Sequence, residues 1–251
     1  MNGTNHTQHR FTRPFELESS TPLLFCFPYG GGGTWIFRNW PRGLAGVAEV
    51  HPVSLPGHGS AITVPPVTSM KILIGQLAPF FAEVRGRPFG FCGHSMGAMI
   101  AFELAIALRR AGGSQPSLLA VTGQRAPHRM KQPTLRFYDL PDPLLKSVLR
   151  HHVPQITGLK DPEFSDIFLP LIRADFAISQ GYRFEPDAPL DCTLLACGGS
   201  EDIISQSELD GWRLHTTGRS EVRMLPGDHF FIHTQEELFL NTLRAVIRNA
   251  G

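Results

Sequence analysis

The chain has 251 residues, 42% of them hydrophobic and 18% charged, with a formal net charge of +1. That length supports one sizeable core and excludes intrinsic disorder, collagen-like repeats and small disulfide scaffolds. Near neutrality provides no global field to recruit nucleic acid or an anionic membrane, and no apolar run approaches the roughly 18–20 residues of a membrane span.

The first 20 residues read as a loose polar arm with a short strand around Phe11–Leu17. The opening MNGTNHTQHRFTRP has no apolar h-region, so no secretory signal is expected. Strand-length runs then alternate with helical patterns. The runs are Leu23–Phe27, Val50–Ser54, Phe89–Cys92, Leu118–Thr122, Thr193–Cys197 and Glu221–Leu225. Most are continuously apolar, as strands covered on both faces are. Apolar residues recur at helical spacing in Ser69–Val84, Met96–Ala111 and Glu236–Asn249. The middle helix ends in Arg109, Arg110 and Gly112, a good C-terminal signature. The alternation predicts an α/β fold with a mostly parallel central sheet flanked by helices, in a single domain over residues 1–251.

Between Arg125 and Asp191 no strand is expected. Two helices are predicted there, one capped by Asp142 with Pro143 in its first turn. The other is capped by Asp161 with Pro162 next, and runs towards Tyr182 with a kink at Pro170. A helical excursion rich in Phe164, Ile167, Phe168, Leu171, Ile172 and Phe176 reads as a lid, because sites in open α/β sheets lie at strand C-termini, where it emerges. The four cysteines, Cys26, Cys92, Cys192 and Cys197, lie in or beside apolar runs without CxxC or Cys/His spacing. They are expected to be buried, reduced thiols of a cytoplasmic protein with no metal site.

The strongest chemical signal is Gly93-His94-Ser95-Met96-Gly97, which follows a predicted strand and opens a predicted helix. In that context GxSxG is a nucleophile elbow. The serine sits on a strained turn, and the flanking glycines avoid collisions with the neighbouring strand and helix. A serine hydroxyl needs a base, and the chain order in such folds is Ser, then Asp or Glu, then His. The loop after Thr193–Cys197 supplies Asp202, and the loop after Glu221–Leu225 supplies His229. The predicted triad is therefore Ser95, Asp202 and His229, with Glu201 as rival acid. Asp228 is expected to cap or orient its loop, His233 to belong to the approach to the closing helix, and His94 to point away from the serine. His58 is expected to be a turn residue. Backbone N–H donors for a tetrahedral intermediate are expected from Met96 and from the glycine loop Phe27–Gly33, through Tyr29 with Gly30 as fallback.

These residues bring a family into view. CFPYGGG (Cys26–Gly32), LPGHG (Leu55–Gly59), GHSMGAMIAFELA (Gly93–Ala105), LPLIRADF (Leu169–Phe176), GSED ending at Asp202 and PGDHFF (Pro226–Phe231) resemble the type II thioesterases of nonribosomal peptide and polyketide synthesis. The resemblance spans roughly residues 22–248 and implies the α/β-hydrolase fold, with a lid at about 135–182. It implies an editing enzyme that hydrolyses acyl groups stalled on the phosphopantetheine arms of acyl or peptidyl carrier proteins, in antibiotic or siderophore biosynthesis. Nucleophile, acid and base fall on Ser95, Asp202 and His229, and oxyanion donors on Tyr29 and Met96. One departure is His58, where many members have arginine.

A medium-chain fatty acyl thioesterase or general esterase is the alternative, since the same triad cleaves oxygen esters and small acyl thioesters. No cofactor is expected, nor a nucleic acid or membrane partner, and a monomer is expected. Gly30, Met99, Phe168 and Phe176 are candidate substrate-binding residues; the apolar three read equally well as plain core. The basic residues Arg125, His128, Arg129, Lys131 and Arg136 lead into the lid. They read first as a solvated loop and second as a dock for an acidic carrier.

Overall fold

The computed structural model describes residues 20–81, 84, 86–152 and 159–249. The predicted arm and the strand around Phe11–Leu17 lie outside the described residues. In chain order the elements are β1 (Leu23–Phe27), α1 (Trp40–Gly43), β2 (Glu49–Pro52), α2 (Met70–Phe81), β3 (Phe89–His94), α3 (Met96–Arg110) and β4 (Leu118–Thr122). Then come α4 (Asp142–His152), α5 (Pro162–Gly181), β5 (Thr193–Gly199), α6 (Gln206–Asp210), β6 (Ser220–Leu225), α7 (Phe231–Thr234) and α8 (Glu236–Arg248).

The strands form one sheet in the order β2-β1-β3-β4-β5-β6, every pairing parallel. All five residues of β1 are buried because the sheet is covered on both sides. Leu23, Phe25 and Phe27 join the core built with α2 and α3, and Leu24 and Cys26 join the core built with α1 and α8. The same alternation divides Leu119 and Val121 from Leu118 and Ala120 in β4. Each Leu or Phe so buried contributes about 1.5–3 kcal/mol. The chain runs from β1 out to β2 on one side and then crosses back to β3 on the other, so a crevice opens at the C-terminal ends of β1 and β3.

Element boundaries differ from the sequence reading for local reasons. β2 starts at Glu49, one residue early, because the Glu49 N–H donates to the Pro22 carbonyl (2.8 Å). β3 and β5 extend to His94 and Gly199 because their polar and glycine tails stay in register with Thr122 and Leu225. The cap predicted at Asp142 is corrected: Asp142 is itself helical, and the N–H groups of Leu144 and Leu145 reach back to the Pro141 carbonyl (3.0 Å each). Asp161 does cap α5, accepting from the Glu163 N–H at 2.9 Å, and the helix continues through Pro170 to Gly181. The short α1, α6 and α7 are too brief to leave a periodic signal.

Candidate active site

Ser95 joins β3 to α3 with φ 54° and ψ −114°, the one positive φ among the described non-glycine residues. Such a conformation costs about 1–3 kcal/mol and persists because its surroundings impose it. The Ser95 N–H is held by the Thr122 carbonyl at 2.8 Å. A Cβ on Gly93 would fall on the Gly97 carbonyl, and a Cβ on Gly97 would fall on the Phe27 carbonyl. Both collisions are with backbone, so the motif needs glycine at these two places. The second contact also presses the elbow against the end of β1, bringing together the segments that carry Met96 and Tyr29.

His229 Nδ1 lies 2.7 Å from Asp202 Oδ2. The carboxylate can only accept, so Nδ1 donates, and Nε2 is the ring nitrogen left to act as base. The Asp202 side chain is almost fully buried, whereas that of His229 is 31% exposed and so open to the crevice. The two loops are stitched by backbone: Ser200 N–H donates to Leu225 O (2.8 Å), and Glu201 N–H to Gly227 O (2.9 Å). That stitching leaves Glu201 exposed. The ring of His94, neighbour of Ser95, lies 5.0 Å from the His229 ring.

Asp228 accepts from the Phe230 N–H (2.8 Å) and shapes the turn behind His229. His94 is buried and bonds Thr122 Oγ1 through Nδ1 (2.8 Å); burial, with the charges of His229 and His233, holds it well below the usual imidazole range. His233 lies in α7, bonded through Nε2 to the Tyr29 hydroxyl (3.1 Å) and stacked on Trp35. Tyr29 also packs edge-on against His94 and Phe230. Burial pushes its phenol up to about 12, so it stays a neutral spacer in the oxyanion loop.

His58 is more than a turn residue. It is 4% exposed, with Nδ1 at 3.0 Å from the Pro56 carbonyl and Nε2 at 3.0 Å from Asp175 Oδ2. Asp175, on α5, also accepts from the Gly31 N–H at 2.6 Å. The sequence reading passed over Asp175. The available signal was a carboxylate on the buried stripe Ser165, Phe168, Ile172, Asp175, Ile178 of a helix. Its neighbour Arg173 faces elsewhere, reaching the Tyr138 carbonyl (2.8 Å) and Asp142 (2.5 Å) to tie α5 to α4.

Of the substrate-binding candidates, Gly30 lies in the loop against Asp175, with Met96 Sδ 4.0 Å from where its Cβ would be. Met99 is buried in the core shared with α2. Phe168 packs with Leu145, Leu149, Leu159 and Ile172 in a core belonging to the insertion, and Phe176 packs edge-on against Phe137. Of the basic loop, Arg125 is paired with Glu208 (3.2 Å), while His128, Arg129, Lys131 and Arg136 are exposed. All four cysteines are buried free thiols, and burial raises each of them. Among the described residues no helix is long and apolar enough to cross a membrane.

A strained serine at a strand-to-helix turn, a histidine oriented by a buried carboxylate and a glycine loop beside them define a serine hydrolase site. The thioesterase domain profile matches residues 22–247, and the chain belongs to the thioesterase family. LgrE of Brevibacillus parabrevis, named a linear gramicidin dehydrogenase, is 36% identical over 232 residues, 90% of this chain and 88% of its own. No dinucleotide-binding GxGxxG follows β1 here. RedJ, the thioesterase of the prodiginine pathway in Streptomyces coelicolor, is 34% identical with a TM-score of 0.80, covering 92% of each chain. YbtT, the type II thioesterase of the yersiniabactin pathway, is 27% identical with a TM-score of 0.82, covering 96% of this chain and 98% of its own. The architecture is the α/β-hydrolase fold these thioesterases share.

Proposed function

We propose that this thioesterase hydrolyses acyl groups held as thioesters on the phosphopantetheine arms of carrier protein domains, clearing stalled nonribosomal peptide or polyketide synthases. The observation that carries the mechanism is the 2.7 Å Asp202–His229 hydrogen bond beside the strained Ser95. Ser95 Oγ attacks the thioester carbonyl while His229 Nε2 takes its proton, and Asp202 stabilises the imidazolium. The oxyanion is received by the N–H groups of Tyr29 and Met96. Collapse breaks the C–S bond, and His229 returns the proton to the departing thiolate. A thiol of pKa about 8.5 leaves more readily than an alcohol, so this step asks little of the acid. Water, deprotonated by His229, then attacks acyl-Ser95 and releases the carboxylic acid.

The insertion of α4 and α5 is read as a lid over the crevice, with Gly30, Met99, Phe168 and Phe176 as the acyl-facing candidates. The chemistry draws on side chains and backbone alone, without a bound cofactor. Four buried free thiols fit a reducing, cytoplasmic setting, and the reading is of a monomer that meets its carrier transiently. The test compares kcat/KM for acyl-carrier protein, the matching acyl-coenzyme A and p-nitrophenyl esters. A clear preference for the carrier-bound substrate supports the reading. Equal or better turnover of the free thioester replaces it with a general acyl thioesterase.

A further inference from the structure

The oxyanion loop is held from two sides. On one, the Tyr29 ring is gripped by His94, Phe230 and His233. On the other, the Gly31 N–H donates to Asp175, whose helix α5 belongs to the insertion rather than to the sheet. Between these anchors the loop closes on itself through Gly32 N–H to the Tyr29 carbonyl (2.9 Å). Gly31 has φ +76°, a left-handed conformation that turns its N–H towards α5. A Cβ on Gly30 would lie 3.4 Å from Asp175 Cβ, so helix and loop are in van der Waals contact as well.

Asp175 is 3% exposed, and a buried carboxylate is costly unless hydrogen-bond donors or a cation compensate it. His58 supplies both by geometry. The Pro56 carbonyl can only accept, so Nδ1 carries a proton. Asp175 Oδ2, as a carboxylate oxygen, has lone pairs for both Gly31 and His58 and no proton to give, so Nε2 donates as well. An imidazole donating through both nitrogens is an imidazolium. Among the described residues the charged group acting on His58 is Asp175 of α5. The atoms nearest to where a Cβ on the flanking Gly57 or Gly59 would sit belong to Leu171, Pro66, Ser54 and Thr34, all uncharged. Burial lowers the His58 proton affinity, and the hydrogen bond and charge of Asp175 outweigh it, leaving a net rise.

We propose that Asp175, clamped by protonated His58, is a positioning residue that fixes the oxyanion loop through Gly31, so that the hydrolytic rate depends on α5 being seated and His58 being charged. The inference rests on Tyr29 and Met96 as the oxyanion donors. When His58 loses its proton, one of its two donated bonds goes and Asp175 is left beside a neutral ring. The loop then loses its anchor on α5, and the Tyr29 N–H drifts from its place. Because the oxyanion forms only after attack, the loss falls on kcat rather than on KM.

The experiment measures kcat and KM for a small soluble acyl thioester between pH 6 and about 9, with circular dichroism and Tm at each pH to hold the fold in view. Asp175→Ala and His58→Ala are expected to lower kcat about 10- to 100-fold with KM changed less than about threefold. Wild-type kcat is expected to fall as pH rises through the His58 transition while Tm still lies well above assay temperature. His58→Arg, which keeps a cation that does not titrate, is expected to restore kcat and abolish that fall. Should Asp175→Ala misfold, the comparison of His58→Arg with wild type decides alone. An alkaline fall identical in His58→Arg and wild type, or none in wild type, overturns the proposal. So does a folded Asp175→Ala with kcat within about twofold of wild type. Failure of the underlying catalytic reading shows differently, as near-normal turnover in Ser95→Ala, and removes this inference with it.

Discussion

Asp202 Oδ2 and His229 Nδ1 lie 2.7 Å apart although the residues leave the sheet from two different strands, β5 and β6. The pairing is built by backbone: a Cβ on Gly199 would strike the Gly227 and Asp228 carbonyls, so the two loops touch at van der Waals distance only because glycine stands there. With the loops locked, Asp202 is turned inwards and Glu201 outwards. Asp202→Asn is expected to keep the fold and cost about four orders of magnitude in kcat by favouring the wrong imidazole tautomer. Glu201→Gln is expected to stay within a few-fold. Steady-state kinetics of both variants check this, and a reversed order would make Glu201 the acid.

Ser95→Ala is expected to lower turnover at least about a thousandfold while leaving the fold intact, because only oxyanion and binding effects survive. A fluorophosphonate is expected to label Ser95 with unit stoichiometry in the wild type. The strain at φ 54° makes a second prediction. Ser95→Gly removes the backbone penalty and is expected to raise the unfolding free energy by about 1 kcal/mol or more in urea titration. A Ser95→Gly protein less stable than Ser95→Ala would contradict the strain argument.

Gly97→Ala puts a methyl group onto the Phe27 carbonyl, which no side-chain rotation can relieve. Expected are a loss of about 1–3 kcal/mol in stability and a kcat reduced on the order of a hundredfold, as the elbow moves away from the Tyr29 segment. Chemical denaturation and kinetics on the same preparation test both. Retention of full activity would show that the close approach of the elbow to β1 is not needed.

Arg125 is already paired with Glu208, so the charge available for docking in the basic loop sits on the exposed Arg129, Lys131 and Arg136. Rim charges act mainly on association rate and salt sensitivity. The double variant Arg129→Glu/Lys131→Glu is expected to raise KM for acyl-carrier protein at low salt and to spare a small acyl-thioester mimic. Rising salt is expected to weaken the wild type and hardly affect the variant. Equal kinetics of the two on acyl-carrier protein return the loop to ordinary solvated charge.

At the N-terminal edge of the sheet Arg87, its side chain fully buried, bonds Glu49 (2.5 Å) and the Thr21 carbonyl (2.7 Å), and His51 also bonds Glu49 (2.8 Å). Burial alone raises the Glu49 carboxyl, but the bonds and charges of Arg87 and His51 outweigh it and hold it below the usual range. A carboxyl lowered by folding contributes stability above its unfolded pKa and loses it as pH falls through the folded value. Arg87→Met is expected to cost about 1–3 kcal/mol at neutral pH. The gap to wild type is expected to narrow as acid protonates Glu49. A gap independent of pH between about 7 and 3 would assign the loss to packing instead.

Much of this was determined by sequence alone. Continuous apolar runs of strand length such as Leu23–Phe27 and Leu118–Thr122 read as strands covered on both faces, and the helices between them pointed to a parallel sheet. GxSxG between a strand and a helix named Ser95, and the polar loops after two later strands named Asp202 and His229, because local backbone demands are written in local residues. Tertiary structure alone decided what depends on distant segments meeting. The 2.7 Å contact that seats Asp202 on His229 came from β5 and β6 lying side by side. The role of Asp175 came from α5 folding back over a loop 144 residues earlier in the chain. His58 read as a turn residue because nothing near it in sequence is charged. Its charge state is set by a carboxylate 117 residues away, buried with it where neither can be left unpaired.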